Sequence, residues 1–402
     1  MWQRIKNVYH FFVAIFWNLL FLFPSKGMVV IGVTGTDGKT TTVSLIYHIL
    51  KELGLKTSMV STLGANIGSK TIPLGFHVTT PGSFTLQKLF KMAKKAGSKY
   101  FILEITSHAL DQNRITGIPV KIGVLTNITN EHLDYHKTYD NYLKTKEILL
   151  KKAEIAVVNK DDNSYSMLTE SKSKKDNDKW ITYGLFESAE VNPEKFNLNN
   201  FKILGDFNKY NILAAVTVCR LLKIKESEIG KAIQTFSLPK GRLDFVYRGQ
   251  FGVMIDFAHT PNAFEQLLKS LRPIVKGKII HIFGSAGERD TLKRPYLGET
   301  SARYSDFVIL TAEDPRTEEV SQIIEEIDSG IDNPKAEIIK IPDRKEAITA
   351  GIQMAKKNDL VLITGKAAEE SMNMGKGEEP WDEYKVVNHI LSELNLKTNE
   401  NK

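Results

Sequence analysis

The residues Gly35-Thr36-Asp37-Gly38-Lys39-Thr40-Thr41 have the types and spacing that hold a polyphosphate. Gly35 and Gly38 let the backbone curl so that successive N–H groups point into an anion. Lys39 reaches the outer phosphates, and the Thr40 hydroxyl suits Mg²⁺. The run Val29 to Thr34 before them is rich in β-branched residues, and apolar residues at helical spacing follow in Val43 to Leu50. Strand, loop and helix in that order are what a phosphate loop requires, with the helix N-terminus adding partial positive charge. The strict pattern G-x-x-x-x-G-K-[ST] places Gly at position 33, where this chain has Val33, so the match is to a shorter form, G-T-x-G-K-T.

Later strand ends carry related chemistry. Tyr100-Phe101-Ile102-Leu103 reads as a buried strand, and Glu104 ends it. Ligands of open α/β sheets gather at the carboxyl ends of strands, which sets Glu104 where a hard cation such as Mg²⁺ binds. A second run, Ile122 to Asn127, leads into Ile128-Thr129-Asn130-Glu131-His132-Leu133-Asp134-Tyr135-His136. Its two histidines four apart lack the glutamate of a zinc H-E-x-x-H motif, and His132 and Asp134 again follow a strand end. Lys146 lies in the helical stretch 142–149 and, taken alone, reads as a solvated helix lysine. Asn208 and Asn211 stand just before an apolar helix. There asparagine serves as a cap or, at a spacing of three, offers amides that read a base edge.

From residue 243 onward four more strand ends deliver polar loops. They are Asp256 with Phe257-Ala258-His259, the stretch Ser285 to Arg289, Glu313-Asp314-Pro315-Arg316, and Gly365-Lys366. Cations and carboxylates are mixed among them, which fits a zwitterionic amino acid together with a phosphate.

Two sheets are needed to carry these residues. Between 28 and 236, strand candidates at 28–34, 57–61, 100–105, 121–126, 154–158 and 180–183 alternate with helix candidates at 40–53, 83–96, 139–152, 208–223 and 226–235. That alternation argues for a mostly parallel sheet with helices on both faces. Ser237-Leu238-Pro239-Lys240-Gly241-Arg242 has linker chemistry. A second α/β pattern follows, with strands near 252–256, 278–283, 306–311, 337–341 and 359–364. The expected fold class is α/β, with a doubly wound, P-loop ATPase-like central domain over 28–238 and a Rossmann-like domain over 239–402, after an apolar leader at 1–27. The Lys-rich stretch 161–179 reads as a solvated excursion, and the tail after 396 as frayed.

With 402 residues, 42% hydrophobic and 25% charged, the chain has the make-up of a globular protein of two or three domains. Its net charge of +7 suits an anionic substrate, while no Lys/Arg stripe with interleaved aromatics speaks for nucleic acid. The single cysteine, Cys219, excludes an internal disulfide and a Cys-based zinc site and points to a reducing cytoplasm. Residues 1–27 hold Arg4, Lys6 and Lys26 and no acid. A helix over 11–23 spans about 20 Å, short of the roughly 30 Å hydrocarbon core. It reads as a helix docked on the protein or a partner, or as an anchor at the inner membrane surface. No small-residue cleavage pattern marks it as a signal peptide.

With these residues in view, the chain resembles the Mur ligases, most closely the UDP-N-acetylmuramoyl-tripeptide synthetases, over residues 28 to 385. The resemblance rests on motifs in the right order. They are G-T-D-G-K-T-T-T (35–42), T-T-P (79–81), E-I-T-S-H-A-L-D-Q-N-R (104–114), T-N-I-T-N-E-H-L-D-Y-H (126–136), G-D-F-N-K-Y-N (205–211), G-R-L-D (241–244), D-F-A-H-T-P (256–261), F-G-S-A-G-E-R-D-x-x-K-R-P (283–295) and E-D-P-R (313–316). The resemblance implies a ligase that uses ATP and Mg²⁺ to join an amino acid to a muramoyl-peptide carboxylate through an acyl phosphate, in peptidoglycan precursor synthesis. Such phosphoryl transfer asks for charge neutralisation and in-line positioning.

By the same resemblance Gly35, Thr36, Asp37, Gly38, Lys39, Thr40 and Thr41 hold the phosphates, and Thr40 and Glu104 bind the first Mg²⁺. His132 helps to bind the second, which Lys146 ligates as a carbamate. Asn208 and Asn211 meet the adenine, with Asp256 and His259 near the nucleotide. Thr79, Thr80, Thr106, Gln112 and Arg114 match positions that hold the muramoyl-peptide. Arg289, Glu313, Asp314, Pro315, Arg316, Gly365 and Glu369 match the pocket of the incoming amino acid. Arg316 is the feature associated with meso-diaminopimelate rather than lysine, since its guanidinium pairs with a distal carboxylate.

Three departures bear on the substrate. The family grips the uridine nucleotide with an N-terminal domain of about a hundred residues, in the usual domain range, where this chain shows the 27-residue apolar leader. A lipid-linked or otherwise different acceptor is the alternative that this raises. The usual D-N-P-R is E-D-P-R at 313–316, and the usual G-K-G-H-E is Gly365-Lys366-Ala367-Ala368-Glu369. Two rival readings remain. One is a related ligase on a folate- or cyanophycin-like substrate, against which Thr79-Thr80-Pro81 and Arg316 speak. The other is a non-catalytic nucleotide-binding protein at the membrane surface, against which Lys39, Glu104, His132 and Lys146 speak.

Overall fold

Val29–Thr34 forms a strand, β1, with five of its six residues buried, because β-branched side chains pack well on both faces of a covered parallel sheet. The computed structural model describes residues 2–75, 78–170, 179–186, 188–199, 201, 203–332 and 335–396. Around β1 the chain order is α1 (Trp2–Leu20), β1, α2 (Lys39–Glu52), β2 (Thr57–Ser61), β3 (Gly64–Ile67), β4 (Lys70–Ile72), α3 (Ser83–Lys95), β5 (Tyr100–Glu104) and α4 (Ser107–Asp111). Then come β6 (Val120–Leu125), α5 (Leu133–His136), α6 (Tyr139–Lys152), β7 (Ile155–Asn159), α7 (Ser164–Glu170), β8 (Trp180–Tyr183), α8 (Asp206–Leu221) and α9 (Glu226–Gln234). Eight strands make one sheet in the order β4-β3-β2-β5-β1-β6-β7-β8. The six from β2 to β8 are parallel, and β3 and β4 fold back as an antiparallel hairpin. The connections run from β1 first toward one edge and later toward the other, and α/β sheets bind ligands outside the strand ends at such a reversal.

Two glycines set how closely α6 approaches this sheet. Gly32 of β1 pairs in register with Gly123 of β6. A Cβ at Gly32 would come within 2.7 Å of Ile105 and 3.0 Å of Leu149, and one at Gly123 within 2.9 Å of Ala153. The absent side chains let α6 lie against the backbone. Lys146, near the middle of α6, thereby reaches the residues that follow β1.

The remaining elements are β9 (Asp244–Arg248), β10 (Gly252–Asp256), α10 (Pro261–Leu271), β11 (Ile279–Phe283), α11 (Arg294–Tyr304), β12 (Phe307–Leu310), α12 (Val320–Asp328), β13 (Glu337–Lys340), α13 (Arg344–Met354), β14 (Leu360–Thr364), β15 (Ser371–Asn373), β16 (Glu378–Pro380) and α14 (Glu383–Glu393). A six-stranded sheet runs β13-β12-β11-β14-β10-β9, antiparallel only at β9. Apolar cores cover both of its faces, one around Phe264, Leu268 and Ile324 and the other around Ile282, Ile363 and Val387. The chain forms two compact units, one from Met1–Asn130, His136–Ile203 and Phe207–Ser237 and the other from Glu131–Tyr135, Leu204–Asp206 and Leu238–Lys402.

The α/β class expected from the alternation is observed, with most boundaries within one or two residues of those expected. Four things differ. The leader helix covers residues 2–20 rather than 11–23. The β3–β4 hairpin, β9 and the β15–β16 pair are strands that the sequence reading does not anticipate. α8 starts at Asp206, two residues ahead of the expected 208, so Asn208 and Asn211 lie in its first turns rather than before it. Residues 164–170 of the expected polar excursion are helical, while its Lys-rich part at 171–178 and the tail after 396 lie outside the described residues.

In the second unit one buried ion pair fixes two strand ends. The Arg344 side chain is fully buried and donates to both Glu383 oxygens at 2.6 and 2.9 Å, to Ala312 O at 3.1 Å and to Thr364 O at 2.8 Å. It anchors the backbone where the loops 313–316 and 365–369 begin. Removing one partner leaves a buried charge uncompensated, so Glu383→Ala is expected to lower this unit's unfolding free energy by about 3–5 kcal/mol in urea titrations. A loss under about 1 kcal/mol, the worth of an exposed pair, would contradict that role.

Candidate active site

The loop 35–38 is held by its carbonyl groups. Lys146 Nζ donates to Gly35 O at 2.7 Å and Lys39 Nζ to Thr36 O at 2.6 Å. Thr126 Oγ1 and Asn127 Nδ2 donate to Asp37 O at 2.6 and 3.1 Å, and Thr42 N donates to Gly38 O at 2.9 Å. The N–H groups of Thr36 and Asp37 are also engaged, donating to Asn127 O and Asn127 Oδ1 at 2.9 Å each, so the N–H polarity of the cradle comes from Gly38 and the start of α2. First-turn N–H groups of a helix have no acceptor within the helix. Gly35 and Gly38 have φ of 151° and 80°. A Cβ would lie 1.7 Å from Thr126 Oγ1 at the first and 2.3 Å from Asn211 Oδ1 at the second. Backbone conformation and close packing both demand glycine here. This cradle fits a bound polyphosphate.

Lys146 is 1% exposed, unlike the solvated lysine its local sequence suggests. Its ammonium also lies 4.4 Å from the Tyr142 ring centre. Asn211 Nδ2 donates to Asn208 Oδ1 at 3.1 Å, and Thr42 Oγ1 donates to Asn211 Oδ1 at 3.2 Å. Asn211 thus braces α2 at Thr42, and Asn208 holds Asn211 in place.

A chain of hydrogen bonds leads away from the loop. Thr40 Oγ1 donates to Glu104 Oε1 at 3.0 Å. Glu104, 1% exposed, also accepts from Thr62 N at 3.0 Å and Thr62 Oγ1 at 3.2 Å. Thr62 Oγ1 lies 2.9 Å from Thr79 Oγ1. Thr80 Oγ1 donates to Glu104 O at 2.9 Å and accepts from Thr106 N at 2.9 Å. Arg114 Nη1 donates to Thr80 O at 2.6 Å, and its Nε and Nη2 donate to Gln112 Oε1 at 3.0 and 2.7 Å. Thr40, Glu104, Thr79, Thr80, Thr106, Gln112 and Arg114 therefore belong to one network. The Thr40 hydroxyl and Glu104 carboxylate are hard oxygen donors beside a phosphate cradle. That donor set fits Mg²⁺, which takes one or two carboxylates and fills its shell with phosphate and water. Among the described residues no group of three or more His, Cys, Asp or Glu forms a metal cluster.

In the second unit Glu131 is buried between two histidines. Its carboxylate oxygens lie 3.2 Å from His259 Nε2 and 3.8 Å from His132 Nε2. Burial opposes its charge, yet His132, His259 and Lys293 together hold the carboxyl well below the usual range. Burial likewise opposes the His259 charge, but the bond to Glu131 leaves His259 raised. Asp256 accepts from Leu243 N at 2.7 Å and Ala258 N at 2.8 Å, and burial pushes its carboxyl up. Its bonds fix the backbone that presents His259, whose carbonyl accepts from Lys293 Nζ at 2.9 Å.

The second unit also gathers the expected amino-acid residues. Lys366 Nζ donates to both Asp314 oxygens at 2.9 Å and to Glu369 Oε2 at 2.7 Å. One buried ammonium thus bridges the Asp at position 314 and the Glu at 369 and offsets one of their two negative charges. A Cβ at Gly365 would lie 2.3 Å from Glu313 Oε2, and one at Gly287 1.9 Å from Pro315 O, so these loops are closely apposed. Burial pushes the Glu313 carboxyl up to about 7 against the pull of Arg344, Lys293, His259 and Lys366. Because the folded state holds that proton more tightly, Glu313 makes folding less favourable as pH rises from its ordinary range through about 7. Burial and then the charge of Arg316 depress the Arg289 guanidinium, with Asp134, Asp314 and Glu288 acting the other way. Two guanidiniums in mutual repulsion favour an added carboxylate. Asp314 and Arg316 have φ of 43° and 55°, left-handed conformations that non-glycine residues rarely take and that concentrate at functional loops.

Sequence reasoning misses Thr62, Thr126 and Asn127 as parts of this machinery. All three follow strand ends, the same signal that singles out Glu104, but a lone hydroxyl or amide there is too common to stand out. His136 is buried in the first unit with Nε2 3.0 Å from Ser107 Oγ, while His132 belongs to the second.

Comparison with known proteins converges on one family. The model of the Mur ligase middle domain matches residues 33–219, and that of the Mur ligase, glutamate ligase domain matches 241–367. UDP-N-acetylmuramoyl-L-alanyl-D-glutamate–2,6-diaminopimelate ligase 1 of Clostridium acetobutylicum is 35% identical over 391 residues, covering 92% of this chain and 80% of that protein. The corresponding ligase of Aquifex aeolicus is 37% identical over 391 residues, covering 92% and 78%. A solved structure of a UDP-N-acetylmuramoyl-L-alanyl-D-glutamate–2,6-diaminopimelate ligase matches with a TM-score of 0.61 at 27% identity, covering 92% of this chain and 80% of that one. The phosphate cradle, the donor pair at its edge and these matches lead to one conclusion: the chain belongs to the Mur ligase family.

Proposed function

We propose that this protein is an ATP-dependent amide ligase that adds diaminopimelate, or a diamino acid of the same kind, to the terminal carboxylate of a muramoyl-peptide. The observation that carries the reading is the hydrogen-bond network that runs from Thr40 through Glu104 and Thr80 to Arg114, with Thr62 branching from Glu104 to Thr79. It ties the residues assigned to the phosphates to those assigned to the acceptor, so both are held by one rigid set of strand ends.

In this reading Lys39 and the backbone N–H groups that follow Gly38 hold the phosphates, and Thr40 and Glu104 hold Mg²⁺. Bound Mg²⁺ supplies charge neutralisation for phosphoryl transfer. Thr79, Thr80, Thr106, Gln112 and Arg114 orient the muramoyl-peptide. Its carboxylate becomes an acyl phosphate, and the amine of the second substrate displaces phosphate to form the amide. Lys146 acts as a carbamate, an added anion beside the loop. His132 helps to bind the second Mg²⁺, Asn208 and Asn211 meet the adenine, and Asp256 and His259 serve the nucleotide. Arg289 and Arg316 receive carboxylate groups of the incoming amino acid, with Glu313, Asp314, Pro315, Gly365 and Glu369 shaping its pocket. Lys366 lowers the negative charge there, which favours an amino acid bearing a second carboxylate over lysine. The reaction takes place in the cytoplasm, where ATP is available, in keeping with a chain whose one cysteine, Cys219, is free and buried.

Phosphate release with muramoyl-dipeptide, ATP and a panel of amino acids is expected to depend on the amino acid. Release that ignores it would contradict the reading. Lys146→Ala is expected to lower that rate by about 10²–10³-fold, the cost of losing one well-placed electrostatic group, without rescue by bicarbonate because no amine remains to carbamylate. Full activity would remove the carbamate from the account. Gly38→Ala is expected to weaken binding of a fluorescent ATP analogue at least about tenfold, or about 1.4 kcal/mol. Unchanged affinity would place the phosphates elsewhere.

A further inference from the structure

α1 turns its polar stripe toward the protein and its apolar stripe away. Asn7 Nδ2 donates to Asp111 Oδ2 at 3.0 Å, and Asn113 Nδ2 donates to Asn7 O at 3.2 Å. The buried Asn18 donates to Ala14 O and Thr116 O, each at 2.8 Å. Ala14, on the same stripe, is fully buried. Positions 5, 8, 9, 12, 16 and 19 fall on the opposite side of a 3.6-residue helix. There Ile5, Val8, Tyr9, Phe12, Phe16 and Leu19 are each 55–65% exposed. Leu20 and Leu22 extend the stripe at 60% and 82%. A surface helix ordinarily buries such a face, and a contiguous exposed apolar patch marks a surface that something apolar covers.

The charges nearby indicate what covers it. Lys6 lies on α1, Lys26 just beyond it, and Lys88 and Lys91 on α3. α3 packs beside α1 through Phe84, whose ring centre lies 4.7 Å from that of Trp17 and 5.8 Å from that of Phe21. Exposed Lys88 and Lys91 share the Phe84 face of α3, and Lys91 Nζ is 5.5 Å from the Phe21 ring centre. Lys26 Nζ is 4.6 Å from the Phe23 ring centre, and Lys6 is exposed on α1 itself. Two copies meeting through this face would bring the lysines of one against those of the other. An anionic lipid surface answers the apolar stripe and the cations together. At 19 residues α1 is about 28 Å long, and among the described residues no helix is long and apolar enough to cross a membrane. The helix therefore suits a position along the interface.

We propose that the outward face of α1, flanked by Lys6, Lys26, Lys88 and Lys91, docks on an anionic membrane surface with Phe12 and Phe16 inserted among the acyl chains. The proposal is independent of the ligase reading, and ATP-analogue binding measured on the same samples keeps the two apart. The test is co-sedimentation of the full chain with vesicles of phosphatidylglycerol and phosphatidylcholine, beside vesicles of phosphatidylcholine alone. Binding is expected with phosphatidylglycerol, at least about tenfold weaker for Phe12→Glu/Phe16→Glu and for Lys88→Glu/Lys91→Glu, and weaker still in high salt. Both double variants change exposed side chains and are expected to keep the wild-type melting temperature and nucleotide affinity. Absence of binding, or binding that neither variant weakens, overturns the proposal. So does a dimer in sedimentation velocity that Phe12→Glu/Phe16→Glu dissociates while vesicles bind nothing, which would assign the face to a second copy.

Discussion

Four carbonyl groups, those of residues 35 to 38, are each tied to a donor in the surrounding protein. The rest of the first unit depends on that constraint. A phosphate loop must offer N–H groups to an anion without presenting its own oxygens, and a short Gly-rich turn cannot hold that orientation unaided. The donors come from three other elements. Lys146 is on α6, Thr126 and Asn127 follow β6, and Thr42 is in α2. Gly32 and Gly123 let α6 come close enough for Lys146 to take part. The β-branched strands, the glycines inside them and the packing of α6 therefore have one common consequence, a loop whose carbonyl groups are tied to the protein just ahead of α2.

The second unit solves a different problem, that of keeping many charges close together. Glu131, Glu313, Asp314, Lys366 and Arg344 are all buried, and unpaired each would be costly. Pairing settles most of them: Lys366 with Asp314 and Glu369, Arg344 with Glu383, Glu131 with His259. Arg289 and Arg316 repel each other, and the Glu313 carboxyl is pushed up to about 7. Residual imbalance of this kind is what a charged ligand relieves, and it falls on the loops assigned to the amino acid.

Much of this is legible in the sequence because the chemistry sits at strand ends, and strand ends are local signals. The strand before Gly35, the carboxylate after Leu103 and the E-D-P-R loop each declare themselves within a few residues. Other features depend on tertiary contact. Local sequence marks Lys146 as a solvated helix lysine, and only the close approach of α6 to two paired glycines buries it. Asn208 and Asn211 read as caps, yet the Asn211 amide, held by Asn208, braces α2 across 169 residues of chain between Thr42 and Asn211. The β3–β4 hairpin has strands of four and three residues, with β4 largely exposed, too short for an apolar alternation to announce a strand. In α1 the period is readable but the sense is not, because hydrogen bonds from Asn7 and Asn18 reverse the usual rule that the apolar face turns inward.

Amide formation by this route requires phosphorylation of the acceptor carboxylate before the amine attacks. A muramoyl-dipeptide carrying ¹⁸O in its terminal carboxylate, incubated with the protein, ATP, Mg²⁺ and diaminopimelate, tests this directly by mass spectrometry of the released phosphate. Transfer of ¹⁸O from the carboxylate to phosphate, in step with tripeptide formation, is the predicted result. Tripeptide formed alongside unlabelled phosphate would contradict it.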